Sequence, residues 1–534
     1  MKRRDFLNKT TTTIALGSIL PGFSFSAIQK KSALASLLAG SAEINDHVLV
    51  IIQLSGGNDG LNTLIPLDQY TNLNLHRANI LIPENKVLKL KNNDKTGLHP
   101  AMTGIKTLFD EDKVNFIQSV GYPDQNYSHF RSTDIWLTGS DAKVVENSGW
   151  MGRYLNHQFP NYPDAYPTAD MPDPLAIQIG ALVSPGFQGP VPGPGMPMAI
   201  SLTSDKDFYD IVNGSHSTPG ANAIGKELAY IREVAGQAKV YNEAIKKAAN
   251  KVTQQASYPT GNALADQLKI VAKLVKGGLK TKIYMVNIGG FDTHSDQVDA
   301  ADHTIGSHAR LLSQLSAAIA AFQNDLKFLS IEDKIIGMTF SEFGRRIKSN
   351  GSNGSDHGSA LPMLVFGTNV QKGIIGINPV INSSFTVDDN LAMQYDFRSV
   401  YASILKQWFC IEDANLATIL FKNYQTIPII KNSACDSSVL SVYQAELEEK
   451  RLQCYPNPFN STDKVKIDIN SKGGHNLIEV FNTEGRLLST IIDKTLAPGV
   501  YNYTWEDDQL PSGFYYCRYQ NEGYQSVFTL QKVR

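Results

Sequence analysis

Five runs of apolar, largely β-branched residues stand out along the chain: Val48 to Leu54, Val114 to Val120, Lys282 to Ile288, Lys334 to Phe340 and Leu361 to Phe366. They are continuous rather than alternating, as expected of strands buried on both faces. Helical periodicity falls between them. In HTIGSHARLLSQLSAAIAAFQNDLKFL, residues Leu312, Leu315, Ile319, Phe322 and Leu326 recur at three- and four-residue steps and share one face, which predicts a crossover helix between two strands. Two further helical stretches, about 221 to 256 and 261 to 277, are expected to cap the sheet or form a lid. Residues 184 to 198, SPGFQGPVPGPGMPM, hold too much Pro and Gly for a helix or central strand and read as a surface excursion. Across residues 45 to 425 the alternation predicts an α/β domain with a mostly parallel sheet between helices.

The period changes near residue 426. After a linker expected over 426–453, short alternating runs (VKIDI, LIEVFN, GVYNYTW, GFYYCRY, SVFTLQK) predict a small antiparallel β-sandwich over 454–534. Its YPNPF, EVFNTEGRLLS and LPSGFYYCRY resemble, in order as well as wording, the C-terminal sorting domain of the type IX secretion system; an ordinary carbohydrate-binding or spacer sandwich is the alternative. At the other end, MKRRDFLNKTTTTIALGSILPGFSFSA puts Lys2, Arg3 and Arg4 before a short apolar segment and small residues, the layout of an export signal over 1–27. Its Arg-Arg-Asp-Phe-Leu order resembles the twin-arginine type. Together the ends imply export through the periplasm and the type IX machinery, to the medium or the outer cell surface.

Totals narrow the partners. Lys+Arg 49 against Asp+Glu 51 gives a net charge of -2, so no basic field attracts nucleic acid. No apolar run beyond the signal reaches membrane-spanning length. The four cysteines form no CxxC or zinc-finger spacing; Cys410 with Cys435, or Cys454 with Cys517, could bridge, and free buried thiols fit each pair as well.

Polar clusters follow the predicted strands, at the edge where an open α/β sheet places ligands. Asp59 lies in LSGGNDGLN, where glycines allow backbone and carboxylate to approach a cation or simply serve a Gly-Asn-Asp-Gly turn. Ser128, in NYSHFRSTDIWLTG, opens a helix, where N–H groups and the dipole suit a phosphate or sulfate; a plain N-cap explains it too. Asp292 and His294, in GGFDTHSDQ, project to one side of an extended segment and can converge on one cation. Glu342 and Arg345 in SEFGRR, and Asp356 and His357 in GSDHGSA, complete the set. Oxygen and nitrogen donors without thiolate suit Zn2+, Mn2+, Mg2+ or Ca2+.

The motifs LSGGNDGLNTLIP, LHPAM, YSHF followed by Trp, GWMGRYL, GGFDTH, SEFGRR and SDHG resemble, over about 45 to 425, the twin-arginine-exported domain-of-unknown-function family 1501 of the alkaline phosphatase and sulfatase superfamily. The resemblance implies an alkaline-phosphatase-like fold and a metal-dependent hydrolase of phosphate or sulfate esters, acting on a small-molecule or glycan ester. It implies Asp59, Asp292, His294, Glu342, Asp356 and His357 at one or two divalent ions and Ser128 as nucleophile; Arg345 or Arg131 is then expected to orient the ester. Two departures accompany it. Glu342-Phe343 stands where such phosphatases carry Asp-His, and no Cys-x-Pro-x-Arg element supports the formylglycine route of sulfatases. A non-catalytic surface protein that keeps the fold and binds a glycan is the competing expectation.

Overall fold

A computed structural model describes residues 45–190, 196–202, 241–431, 435 and, apart from 462, 508, 522–523 and 534, 452–533. The expected export signal and residues 203–240 of the helical insert lie outside the described residues. Two compact units emerge, Asn45–Cys435 and a second containing the C-terminal residues.

Among the described residues nine strands build the sheet of the first unit: β1 (Val48–Ser55), β2 (Val114–Gly121), β3 (Ala176–Ile179), β4 (Ile200–Leu202), β5 (Ile283–Gly289), β6 (Ile335–Phe340), β7 (Leu361–Phe366), β8 (Gly373–Ile375) and β9 (Tyr395–Asp396). Their order is β8-β2-β7-β6-β1-β5-β3-β4, with β9 also on β2. The sheet is mixed and mostly parallel: β7 alone runs antiparallel to its neighbours β6 and β2. Every residue of β2 and β6 is buried. Successive strand side chains point to opposite faces, so both faces are covered, which is why the runs lack alternation.

Helices α1 (Thr103–Asp110), α2 (His129–Thr138), α3 (Ala263–Lys276), α4 (Ser307–Phe328) and α5 (Phe397–Gln407) pack around it. Helix α4 links β5 to β6 across β1, the crossover its periodicity predicts, and buries Leu312, Leu315, Ile319, Phe322 and Leu326. Each such side chain contributes about 1.5–3 kcal/mol. Residues 241–250 are helical, and with α3 they bury Tyr241, Ile245, Leu264, Leu268 and Val271 in the main core, so these described parts of the insert cap the sheet rather than form a lid.

Two sequence expectations are corrected here. The excursion at 184–198 is pinned at both ends, because Phe187 and Met198 are buried in the core and Met198 N donates to the Phe187 carbonyl. The first unit also continues past residue 426: Ile427, Ile429 and Ile430 fill its core and Cys435 is bridged to Cys410.

The second unit is antiparallel. Strands Leu452–Tyr455, Val465–Phe481, Leu487–Trp505, Gly513–Asn521 and Tyr524–Lys532 pair into one five-stranded network. Its own core includes Ile467, Ile469, Ile478, Val480, Trp505, Tyr519 and Leu530. Cys454 and Cys517 are buried there as free thiols.

Candidate metal centre

The topology gathers distant residues on one edge. Strands β1, β5 and β6 are parallel neighbours, so the segments after them leave at the same side. Two antiparallel steps, β6 to β7 and β7 to β2, restore that direction in β2, so α2 starts there as well. Because β7 is reversed, it is the segment before it, the hairpin Arg345–Ser349 with Ser355–His357, that reaches this edge.

Glycines close the seam. Gly56, at φ +122°, leaves no room for a side chain, since a Cβ would lie 2.3 Å from the Asp292 nitrogen. Gly57, at φ +83°, meets the Phe343 ring the same way. Their peptides then serve the site: Gly56 N donates to Glu342 Oε1 at 2.8 Å, and the Gly56 and Gly57 carbonyls accept from Arg345.

Asp292 is the centre of the cluster. Its Oδ1 lies 2.7 Å from Arg345 Nη2 and 3.2 Å from both His294 Nε2 and His357 Nε2, while Oδ2 is 3.4 Å from His129 Nε2. Burial pushes this carboxyl up, but the Arg345 guanidinium and the neighbouring imidazoles outweigh it and hold it at about 2. Its side chain is 46% exposed, open to a ligand from solvent.

Each imidazole is oriented through its other nitrogen. His294 Nδ1 meets Asp356 Oδ1 at 2.9 Å, His357 Nδ1 meets the Tyr127 carbonyl at 2.9 Å, and His129 Nδ1 meets Glu342 Oε1 at 2.8 Å. Carboxylates and a carbonyl only accept, so all three Nδ1 atoms carry a proton, and in a ring with one proton Nε2 is then a bare lone pair. Those lone pairs face Asp292 and one another, with His294 Nε2 2.9 Å from His357 Nε2. Such a set is repulsive unless a cation or a proton lies among it. The ligand atoms of His129, Asp292 and His357 all lie within 4.8 Å of one another, a spacing suited to one ion. Burial lowers the His357 pKa, the nearby Arg345 adding to the effect and the bonds to Asp292 and Tyr127 opposing it.

Of the candidates read from the sequence, the structure brings Asp292, His294 and His357 to this point. Glu342 and Asp356 act one layer out, holding His129 and His294 rather than facing an ion. Asp59 is not in the cluster. It is fully buried, its Oδ1 caps Leu61 N, and its Oδ2 accepts from Arg77 and, at 2.6 Å, from Gln297 Nε2. Burial raises its pKa, and the Arg77 charge, the nearby His308 and the bonds from Gln297 and Arg77 together more than reverse that, so the protein supplies the counter-charge a cation was expected to provide. Around it, His308 Nε2 bonds Asn58 Oδ1 at 2.9 Å, and His99 is buried nearby. Arg345 does not face an ester. It is 1% exposed and occupied by the carbonyls of Gly56, Gly57, Phe291 and Ser355 and by Asp292. Arg131 likewise binds Asp134 and the carbonyls of Asp141, Ala142 and Val144. Ser128 is the exposed N-cap residue of α2, and its side chain makes no capping bond. His129 is the residue sequence reasoning passed over. Its signal was its place in YSHF, beside Ser128 at the helix start.

The class these features define is an α/β protein with a mixed, mostly parallel sheet and a His/Asp group at its strand ends that could hold a divalent ion. Residues 227–415 match the family described as protein of unknown function (DUF1501), and residues 453–532 match the secretion system C-terminal sorting domain. The module directs it through type IX secretion to the cell surface or beyond. No helix among the described residues is long and apolar enough to cross a membrane. No curated protein matches the chain. Among solved structures it is similar to the PsFucS1 sulfatase from Pseudoalteromonas sp. (12% identity, 88% of this chain and 86% of that one, TM-score 0.31). It is also similar to a protein in the alkaline phosphatase superfamily from Vibrio parahaemolyticus (10%, 86% and 80%, TM-score 0.31) and to the alkaline phosphatase from the Antarctic bacterium TAB5 (10%, 61% and 94%, TM-score 0.28).

Proposed function

We propose that this chain is a secreted or surface-attached metal-dependent hydrolase of phosphate or sulfate esters. The observation that carries this reading is the convergence of three imidazole Nε2 atoms on the Asp292 carboxylate, each ring fixed through its Nδ1. Nitrogen-rich donors with one carboxylate favour Zn2+ over Mg2+ or Ca2+, with Mn2+ between them. When bound, such an ion supplies Lewis acidity toward an ester oxygen and lowers the pKa of a hydroxyl or water beside it.

The chain's own residues do the rest. Arg345 fixes Asp292 against the backbone, and Glu342, held by Gly56 N, keeps the His129 Nε2 lone pair turned inward. Ser128 is the nucleophile in this reading: its hydroxyl is solvent-accessible at the start of the ten-residue helix α2, whose free N–H groups favour an anionic substrate. Metal analysis of the full chain, then turnover on a panel of phosphate and sulfate esters, tests the proposal. About one equivalent of Zn2+ or Mn2+, and at least a 100-fold loss of turnover on Asp292→Ala, are expected. Turnover indifferent to both chelation and Asp292→Ala overturns it.

One observation favours a second reading, a non-catalytic glycan-binding surface protein: Arg345 and Arg131 are both committed to protein acceptors, so neither is free to hold an ester. Ion content and glycan binding without turnover across the same panel would select it.

A further inference from the structure

Gln297 sits three residues beyond His294, fully buried. Its Nε2 donates to Asp59 Oδ2 at 2.6 Å. Its Oε1 accepts from Ser355 Oγ at 2.6 Å and Thr293 Oγ1 at 3.1 Å. The orientation of this amide is determined. Asp59 is an acceptor only, held ionised by Arg77, so the NH2 end must face it and the carbonyl end must face the two hydroxyls. Thr293 lies between Asp292 and His294, and Ser355 immediately precedes Asp356 and His357. One side-chain oxygen therefore clasps the two segments whose imidazoles approach to 2.9 Å. Backbone bonds run alongside, from Ser355 N to the Thr293 carbonyl and from Gln297 N to the Asn353 carbonyl.

We infer that Gln297 is a positioning residue of the metal centre, setting the spacing of His294 and His357 through the hydroxyls of Thr293 and Ser355, and that the buried Asp59–Arg77 pair serves to fix its amide. The inference rests on the reading of these imidazoles as ion donors. It gives Asp59 a role at the centre without ligation: the carboxylate acts through an amide and two hydroxyls rather than through a bond to an ion. The clasp also explains why a carboxylate with a complete set of protein partners stands directly behind the site.

The test is Zn2+ binding by competition calorimetry on the full chain, with melting temperature measured without ion. Thr293→Val removes one hydroxyl at nearly constant volume and leaves Asp59, Arg77 and the Gln297 amide donor in place; Thr293→Ser keeps the hydroxyl and removes a methyl. Thr293→Val, alone and with Ser355→Ala, is expected to weaken affinity about 10- to 100-fold. Thr293→Ser is expected to stay near the parent. If the parent binds no Zn2+, the reading of the centre itself fails. If the parent binds and Thr293→Val with Ser355→Ala binds equally well, only the role of Gln297 fails. Equal losses in Thr293→Val and Thr293→Ser overturn it too, because a packing effect would then replace the hydroxyl.

Discussion

Asp292 and Asp59 each follow a parallel strand of one sheet, and each faces a guanidinium with imidazoles in electrostatic reach, but their surroundings diverge. Asp59 is sealed from solvent, and Arg77 and Gln297 take up its charge and its Oδ2 lone pairs. Asp292 is half-exposed, and beyond Arg345 its neighbours are imidazole nitrogens of rings already held through Nδ1. A carboxylate at a strand end is thus open to a ligand only where the protein leaves its charge and lone pairs incompletely answered. Counting strand-end acids cannot distinguish the two cases; tracing where each partner's protons go does.

Removing the internal counter-charge tests the closed half most severely. Arg77→Met should cost the Asn45–Cys435 unit about 3–5 kcal/mol in urea unfolding, because it strands a buried carboxylate. Adding Asp59→Asn should recover part of that loss; no recovery would mean that Arg77 matters for packing and not for charge. The open half should respond to ions instead. Zn2+ at one hundred times its Kd should stabilise the same unit by about 2.7 kcal/mol, and Asp292→Ala should abolish the gain. A gain that survives Asp292→Ala would relocate the ion.

Acid should separate the regions further. Burial pushes His308 down to about 4, against an ordinary value of 6.5. Between those values the unfolded chain binds a proton that the folded chain does not, so stability falls as pH falls, by roughly 1.4 kcal/mol per pH unit. His99, lowered by burial to about 3 from the same ordinary value, adds an equal slope over this range and carries it on to lower pH. Chemical denaturation from pH 7 to pH 4 should show the decline, and His308→Gln should remove about half of it. The smallest effect is expected at the rim. Asp356→Asn keeps an acceptor for His294 Nδ1 at an exposed position, and should shift unfolding by less than about 1 kcal/mol.

Much of the fold was legible because its central strands are buried on both faces and bounded by polar turns. The reading of Leu361 to Phe366 matches β7 to the residue, and Leu312, Ile319 and Leu326 line the buried side of α4 as their spacing required. Residue 426 misled because composition does change there, whereas Ile427, Ile429 and Ile430 still belong to the first core. At the site, Asp292, His294 and His357 were visible as donor types clustered after or before strands. The fate of Asp59 was not, because it depends on Arg77, 18 residues away, and Gln297, 238 residues away. His129 was hidden for a related reason: its orientation is given by Glu342, 213 residues further along the chain.

The reversal of β7 also fixes when the centre can exist. Its last imidazole, His357, reaches the edge only when the segment through Phe366 has docked between β6 and β2. A nascent or half-folded chain therefore lacks the complete donor set, and on the proposed reading ion capture would report that the sheet has closed.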